Sequence, residues 1–279
     1  MLIDAHHHLW RYNTRDYVWM TGAMTSLRRD FLVPDLQQVM HESDVNGTVV
    51  VQARQTIEES DWLLDLAANH SFIRGVVGWV PLIDERVNET LAHLAGNPKL
   101  KAVRHVLHDE PDDSYMLRED FNRGIRLLRN YGLVYDILIF EHHLAQTLQF
   151  ADRHPNQIFV VDHIAKPRIR EGAMWPWAAQ ISELAMRENV YCKVSGMATE
   201  ADWNHWTISH LRPYFDVVLS AFGPERLMFG SDWPVLTVAG GYPKWITVFR
   251  ALIHELSEHE QAQICANTAI AVYNLDRTQ

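Results

Sequence analysis

The sequence predicts an α/β fold, a (β/α)8 barrel of the TIM-barrel class, and three observations lead there. Eight short apolar runs alternate with segments of helical periodicity along the whole chain. The repeat is about thirty residues, the size of one strand with its crossover and return. The 279 residues contain no stretch rich in Gly, Ser or Pro that would mark a linker. A single barrel domain over 1–279 with an added C-terminal helix is therefore expected.

In chain order, the first strand is expected at 2–7, where Leu2-Ile-Asp-Ala-His-His7 alternates apolar and polar residues. The second is expected at 47–52 (Gly47-Thr-Val-Val-Val-Gln52), the third at 73–80, the fourth at 100–106 and the fifth at 133–139. The sixth falls at 158–164, the seventh at 190–195 and the eighth at 227–232. Helical spacing of apolar residues occupies 34–45, 58–70, 86–94, 117–131, 143–153, 175–188 and 208–222. A last helix near 260–273 should pack across the outside or bottom of the barrel. The longest irregular stretches, 9–33 and 166–174, each follow a strand, so they belong to the C-terminal face where barrel enzymes build active sites.

Composition narrows the classes of function. Hydrophobic residues make up 47%, with no apolar run near the eighteen or so residues that cross a bilayer, so no membrane partner is expected. A net charge of −10 opposes nucleic-acid binding, which needs a basic surface to displace counterions. The partner is expected to be a small molecule, with the protein a monomer or homo-oligomer. Cys192 and Cys265 read as reduced packing thiols, and the first residues carry no basic stretch followed by an apolar core, so a cytoplasmic location is expected.

Polar residues at the inward, C-terminal ends of strands are the site candidates. Strand alternation puts Asp4, His6 and His8 on one face and Ile3, Ala5 and His7 on the other. His163 is expected on the face of Phe159 and Val161, and Asp232 on that of Met228 and Gly230, with Arg104 on the fourth strand. Asp4, Asp136 and Lys193, set among apolar residues, should neutralise and position one another. Each candidate also has a plainer role: a hydrogen-bonded core histidine, an aspartate capping a turn, an arginine in a structural ion pair. His7 and His105 take the opposite parity and are read as structural, as are His108, His142 and His143 beyond the strand ends.

Four segments carry a resemblance: Ile3-Asp-Ala-His-His-His-Leu-Trp10, Val103-Arg-His105, Asp162-His-Ile-Ala-Lys-Pro167 and Gly230-Ser-Asp-Trp-Pro234. In this order and spacing the chain resembles the amidohydrolase superfamily along nearly its whole length, and within it the sugar-lactonase branch. The resemblance implies that His6 and His8 are the first-strand pair, His163 the sixth-strand histidine and Asp232 the aspartate that activates water. The chain departs from the family pattern at two places. Lys101 lies too early in its strand to be a carbamylated bridging lysine, and the fifth strand offers Asp136 where a histidine ligand is usual, so no binuclear centre is expected.

The reaction implied is hydrolysis of a sugar-acid lactone to the free acid. Asp232 takes a proton from the attacking water, while His6, His8, His163 and Arg104 steady the oxyanion. A lactone has a better leaving group than an amide, so general-base help with a polarised carbonyl suffices and no cofactor is required. A single zinc on His6, His8, His163 and Asp232 is the alternative. Lys166, Gln52, Trp10 and Trp233 are the further substrate-binding candidates, the tryptophans offering flat faces to a sugar ring. Trp19, Trp175 and Trp177 also fall in loops expected at the mouth. Two other readings stay open: a mononuclear-metal amidohydrolase or decarboxylase on the same barrel, and a noncatalytic sugar-binding barrel.

Overall fold

The computed structural model describes residues 1–276; positions 277–279 of the expected domain span lie outside the described residues. Eight parallel strands run in chain order: β1 Ile3–His7, β2 Gly47–Val51, β3 Ile73–Gly78, β4 Leu100–Val106, β5 Val134–Leu138, β6 Phe159–Val161, β7 Val190–Val194 and β8 Leu227–Phe229. Around them lie α1 Val33–Glu42, α2 Ile57–Asn69, α3 Val87–Leu94, α4 Glu119–Leu128, α5 Leu144–Arg153, α6 Trp177–Leu184, α7 Ile208–Phe222 and α8 Tyr242–Ile253. Two short helices, α9 Glu258–Ala262 and α10 Thr268–Val272, complete the chain. The predicted (β/α)8 architecture is the one observed.

Two packing layers follow from strand parity. Val49, Val51, Val77, Ala102, Val134, Val160 and Met228 fill the barrel interior. Val50, Val76, Val103, Tyr135, Ile137, Phe159, Val161 and Phe229 turn outward against the helices. The floor is closed by the C-terminal segment: Ala266, Ala269, Val272, Tyr273 and Leu275 join the interior cluster. Lys101, at the start of β4, donates to the Asn274 carbonyl at 2.9 Å. The last helix thus plugs the bottom.

Above β8 the chain closes the barrel at the level of the site. The Asp232 amide donates to the His6 carbonyl at 2.8 Å and the His8 amide to the Trp233 carbonyl at 2.6 Å. Two ends of the sequence are thereby stitched together.

Three expectations need correction. In β1 the ladder register shifts between Asp4 and His7, and the bulge resets parity. Ile3 and Ala5 face the interior, while Asp4 accepts hydrogen bonds from Ser231 (2.6 Å) and from Tyr242 of α8 (2.7 Å). Asp4 is therefore no partner of Asp136 and Lys193. In β6 the strand ends at Val161, and His163 does not share the outward face of Phe159 and Val161. A run of left-handed residues turns it into the mouth: His163, Ile164, Ala165 and Lys166 have φ of 55°, 50°, 61° and 48°. Finally α8, for which no helix was expected, begins just after Gly240 and Gly241 with Pro243 in its first turn, and buries Tyr242, Trp245 and Phe249.

Candidate active site

Strand ends converge on Asp232. Its Oδ1 lies 3.4 Å from His8 Nε2 and 3.8 Å from the Nε2 atoms of both His6 and His163, and His6 and His8 Nε2 are 3.2 Å apart. All four side chains are buried. Each imidazole is oriented through its other nitrogen. His8 Nδ1 meets the Val51 carbonyl at 2.8 Å, His163 Nδ1 meets Ser195 Oγ at 2.8 Å, and His6 Nδ1 faces Asp162 and Lys193, each at 3.2 Å. Such outer partners fix ring direction in imidazole sites.

Burial pushes the Asp232 carboxyl up, but His163, His8 and His6 around it more than offset this and hold it well below the usual carboxylate range. Burial in turn drives His163 down to about 4 and His6 well below its ordinary value, so both rings are neutral at pH 7. The centre is an ionised carboxylate beside the neutral rings of His6 and His163, with His8 3.4 Å away.

Arg104, inward on β4, is clamped from behind. Its Nη2 donates to the Gln52 carbonyl (2.6 Å) and to Gln52 Oε1 (2.7 Å), and its Nη1 to Asp162 Oδ2 (3.0 Å). Asp162 shares inward parity with Val160 of β6. Burial would raise this carboxyl, yet Lys193, His6 and Arg104 hold it well below its ordinary value.

These groups sit under a cavity of about 290 Å³, the scale of a small-molecule site. His8, His163, Arg104 and Asp232 line its reactive wall, and Trp10, Trp19, Met24 and Val235 form an apolar wall from the loop after β1 and the turn after β8. His108, Phe140 and Lys166 complete the rim. Lys166 pairs with Glu200 at 3.3 Å and lies over the Phe140 ring at 5.5 Å. Trp10 is held in place by its indole N–H to the Arg29 carbonyl, 2.9 Å, and by paired backbone hydrogen bonds with Phe31.

Not every expected residue reaches the cavity. Gln52 is fully buried behind Arg104, and Trp233 packs edge-on against Phe31 at 5.4 Å; neither lines the wall. His6 lies beneath His8 as a supporting ring. Trp177 is buried, donating to the Ile164 carbonyl at 2.8 Å, and Trp175 is exposed and does not line the cavity. His7 and His105 are buried on the outer face, as read from their parity. Conversely His108, read as structural, lines the cavity, stacked 4.6 Å from Phe140 and pushed by burial down to about 2. Asp162 escaped the reading because the expected strand ran three residues past its observed end and its inward face was assigned to Phe159 and Val161; counting from Val160 would have found it.

Three ligating atoms, on His6, His8 and Asp232, lie close enough together to share one ion. Among the described residues two further such clusters are His6 with Asp162 and His163, and Asp113 with His142 and His143 in the loops after β4 and β5.

Comparison with known proteins agrees with this architecture. The amidohydrolase family model matches residues 3–275. An L-fucono-1,5-lactonase of Burkholderia multivorans is 38% identical over 284 residues, covering 98% of this chain and 96% of its own. One from Burkholderia ambifaria is 37% identical over 279 residues, covering 99% and 96%. A solved Burkholderia multivorans amidohydrolase structure with bound zinc is 38% identical and superposes with a TM-score of 0.95 over 99% of this chain and 100% of its own.

Proposed function

Because this chain belongs to the amidohydrolase family, we propose that its mouth hydrolyses a sugar-acid lactone, with L-fucono-1,5-lactone the first substrate to test. The single observation that carries the reading is the ionised Asp232 among three imidazole nitrogens, at the foot of a cavity with one cationic and one aromatic wall.

The lactone ring lies against Trp10 and Trp19, with its carbonyl toward Arg104. Water beside Asp232 attacks the carbonyl carbon as Oδ1 takes its proton. Asp232 is a weak base because its histidines hold its pKa low, so proton transfer must be driven by stabilising the oxyanion. The Arg104 guanidinium and the N–H groups of the ring supply that, each well-placed donor contributing on the order of 3 kcal/mol. Collapse of the tetrahedral intermediate breaks the bond to the ring oxygen, which takes the proton back from Asp232. The product is the open hydroxy acid.

The donor set also fits one divalent ion. Two imidazoles and a carboxylate converge, the backbone carbonyl of Val51 orients His8, and Asp162 sits at His6 Nδ1. His6, His8 and Asp232 would hold it, with His163 beside them. Such an ion supplies Lewis acidity and lowers the pKa of bound water. The lactone reaction is proposed to proceed on the side chains alone.

The test is a panel of aldono-lactones followed by acid release, with wild type and Asp232→Asn, each with and without chelator. Turnover that survives chelator and falls by on the order of 10²–10⁴-fold in the variant is expected. Complete loss with chelator would move the reading to a metal-dependent hydrolase or decarboxylase, and no turnover on any lactone would sink it.

A further inference from the structure

Outside the cavity, the loops after β4 and β5 bring three ligating side chains together. Asp113 lies in the first loop, and His142 and His143 are adjacent in the short turn Glu141–His143 that leads into α5. Asp113 Oδ1 is 3.4 Å from His143 Nε2 and 3.7 Å from His142 Nε2. The two imidazoles lie side by side, ring centroids 3.9 Å apart. None of the three lines the cavity.

These separations are long for hydrogen bonds, but they suit neighbouring ligands of one ion. Tetrahedral ligands about 2.05 Å from zinc stand about 3.3 Å from one another. His143 supplies a second, independent observation. Its side chain is buried, 2% exposed, yet its Nε2 makes no hydrogen bond among the described residues and lies toward Asp113. Leaving a buried polar atom unpaired is costly, and a bound ion would remove that cost. The other nitrogen, Nδ1, is 3.3 Å from the Phe140 carbonyl. With the ring proton on Nδ1 and donated there, Nε2 offers its lone pair toward Asp113, which is how ligating histidines are commonly held.

We propose that Asp113, His142 and His143 hold one divalent transition ion, with zinc the first to test, at a site separate from the reactive centre, and that this ion ties the β4 loop to the β5 loop. Two imidazoles and a carboxylate suit zinc, whereas magnesium and calcium take oxygen ligands. The tie reaches the mouth through Phe140. Its ring stacks 5.9 Å from His142 on one side and 4.6 Å from His108 on the other, and Phe140, His108 and Asp109 all line the cavity. The ion therefore steadies the two segments that carry this part of the rim.

Equilibrium dialysis against micromolar Zn²⁺ with Mg²⁺ in excess, on wild type, His142→Ala and Asp113→Ala, tests this. Both replaced side chains are more than half exposed, at 55% and 60%, so neither change opens the core. The reactive centre is the same in all three proteins, and zinc bound there cancels from the comparison. Each variant is expected to bind one Zn²⁺ fewer per chain than wild type. Zinc uptake equal to wild type in either variant would overturn the site and leave the three side chains as surface ion contacts. Hydrogen exchange reads the tie between loops. Zinc is expected to slow amide exchange at 107–118 on the order of tenfold more in wild type than in His142→Ala. Equal slowing in the two would overturn the bridging of the loops. Neither measurement uses a lactone. A wild type that opens no lactone would fail the lactonase reading and leave this one to the zinc count.

Discussion

At the scale of single residues, the site is made by second partners as much as by the groups that face the cavity. Arg104 shows this most plainly. Its guanidinium is aimed by two acceptors on Gln52 and one on Asp162, a fork that an amine cannot reproduce. Arg104→Lys keeps the charge but loses the aim, and is expected to lower kcat/KM by about 100-fold, or about 2.7 kcal/mol. Steady-state kinetics with the melting temperature measured alongside check it; a variant within a few-fold of wild type would remove Arg104 from oxyanion stabilisation.

At the scale of elements, two turns determine where His163 points. The turn after β6 carries four successive left-handed residues, a conformation that costs roughly 1–2 kcal/mol for each L-residue and is sustained by packing and by the Trp177 hydrogen bond to Ile164. The turn after β7 brings Gly196, at φ +65°, so close that an added Cβ would sit 2.7 Å from the His163 ring. Gly196→Ala should therefore displace the imidazole and lower kcat by on the order of 10²-fold. Gly132, at φ +66° beyond α4, has open space around it. Gly132→Ala should cost only about 1 kcal/mol of stability and leave turnover unchanged. Kinetics and thermal melts of the pair separate crowding at the site from backbone strain alone.

At the scale of the whole molecule, buried titratable groups govern the response to acid. Burial lowers His7 to about 3, His108 to about 2, and His154 and His163 to about 4, against an ordinary value of 6.5. Between those values and 6.5 the unfolded chain binds more protons than the folded one, so stability falls as pH falls. Asp162 and Asp232, both held low, act in the same direction below the ordinary carboxylate range. Asp4 and Asp136, raised by burial to about 6, and Glu59, raised to about 7, act oppositely. Between pH 6.5 and 4 seven lowered histidines, with His6, His105 and His143 added to the four above, outnumber four raised carboxylates, Asp4, Glu59, Asp109 and Asp136, and the melting temperature should drop from pH 6.5 to 4. His7→Phe, which removes a buried imidazole with no hydrogen-bond partner among the described residues, should flatten that slope. An unchanged slope would remove His7 as a contributor.

The sequence alone determined the barrel, because strand and helix periods are local and repeat along the chain. It also determined principal candidates, because the inner parity of a strand end is local too: Arg104 and Asp232 could be placed by counting, whereas His8 reaches the site only through the bulge that resets β1. Only the tertiary structure decided the rest. A bulge in β1 turned Asp4 out to Tyr242, and the short β6 replaced His163 with Asp162 at the inward position. Gln52 proved to be the clamp on Arg104, and Lys193 came to lie between Asp136, Asp162 and His6, groups 57, 31 and 187 residues away along the chain. The physical reason is one of range. Periodicity records which face a residue takes, whereas a bulge, a left-handed turn or a charge cage depends on which distant strands close the barrel beside it, and nothing local in the chain encodes that.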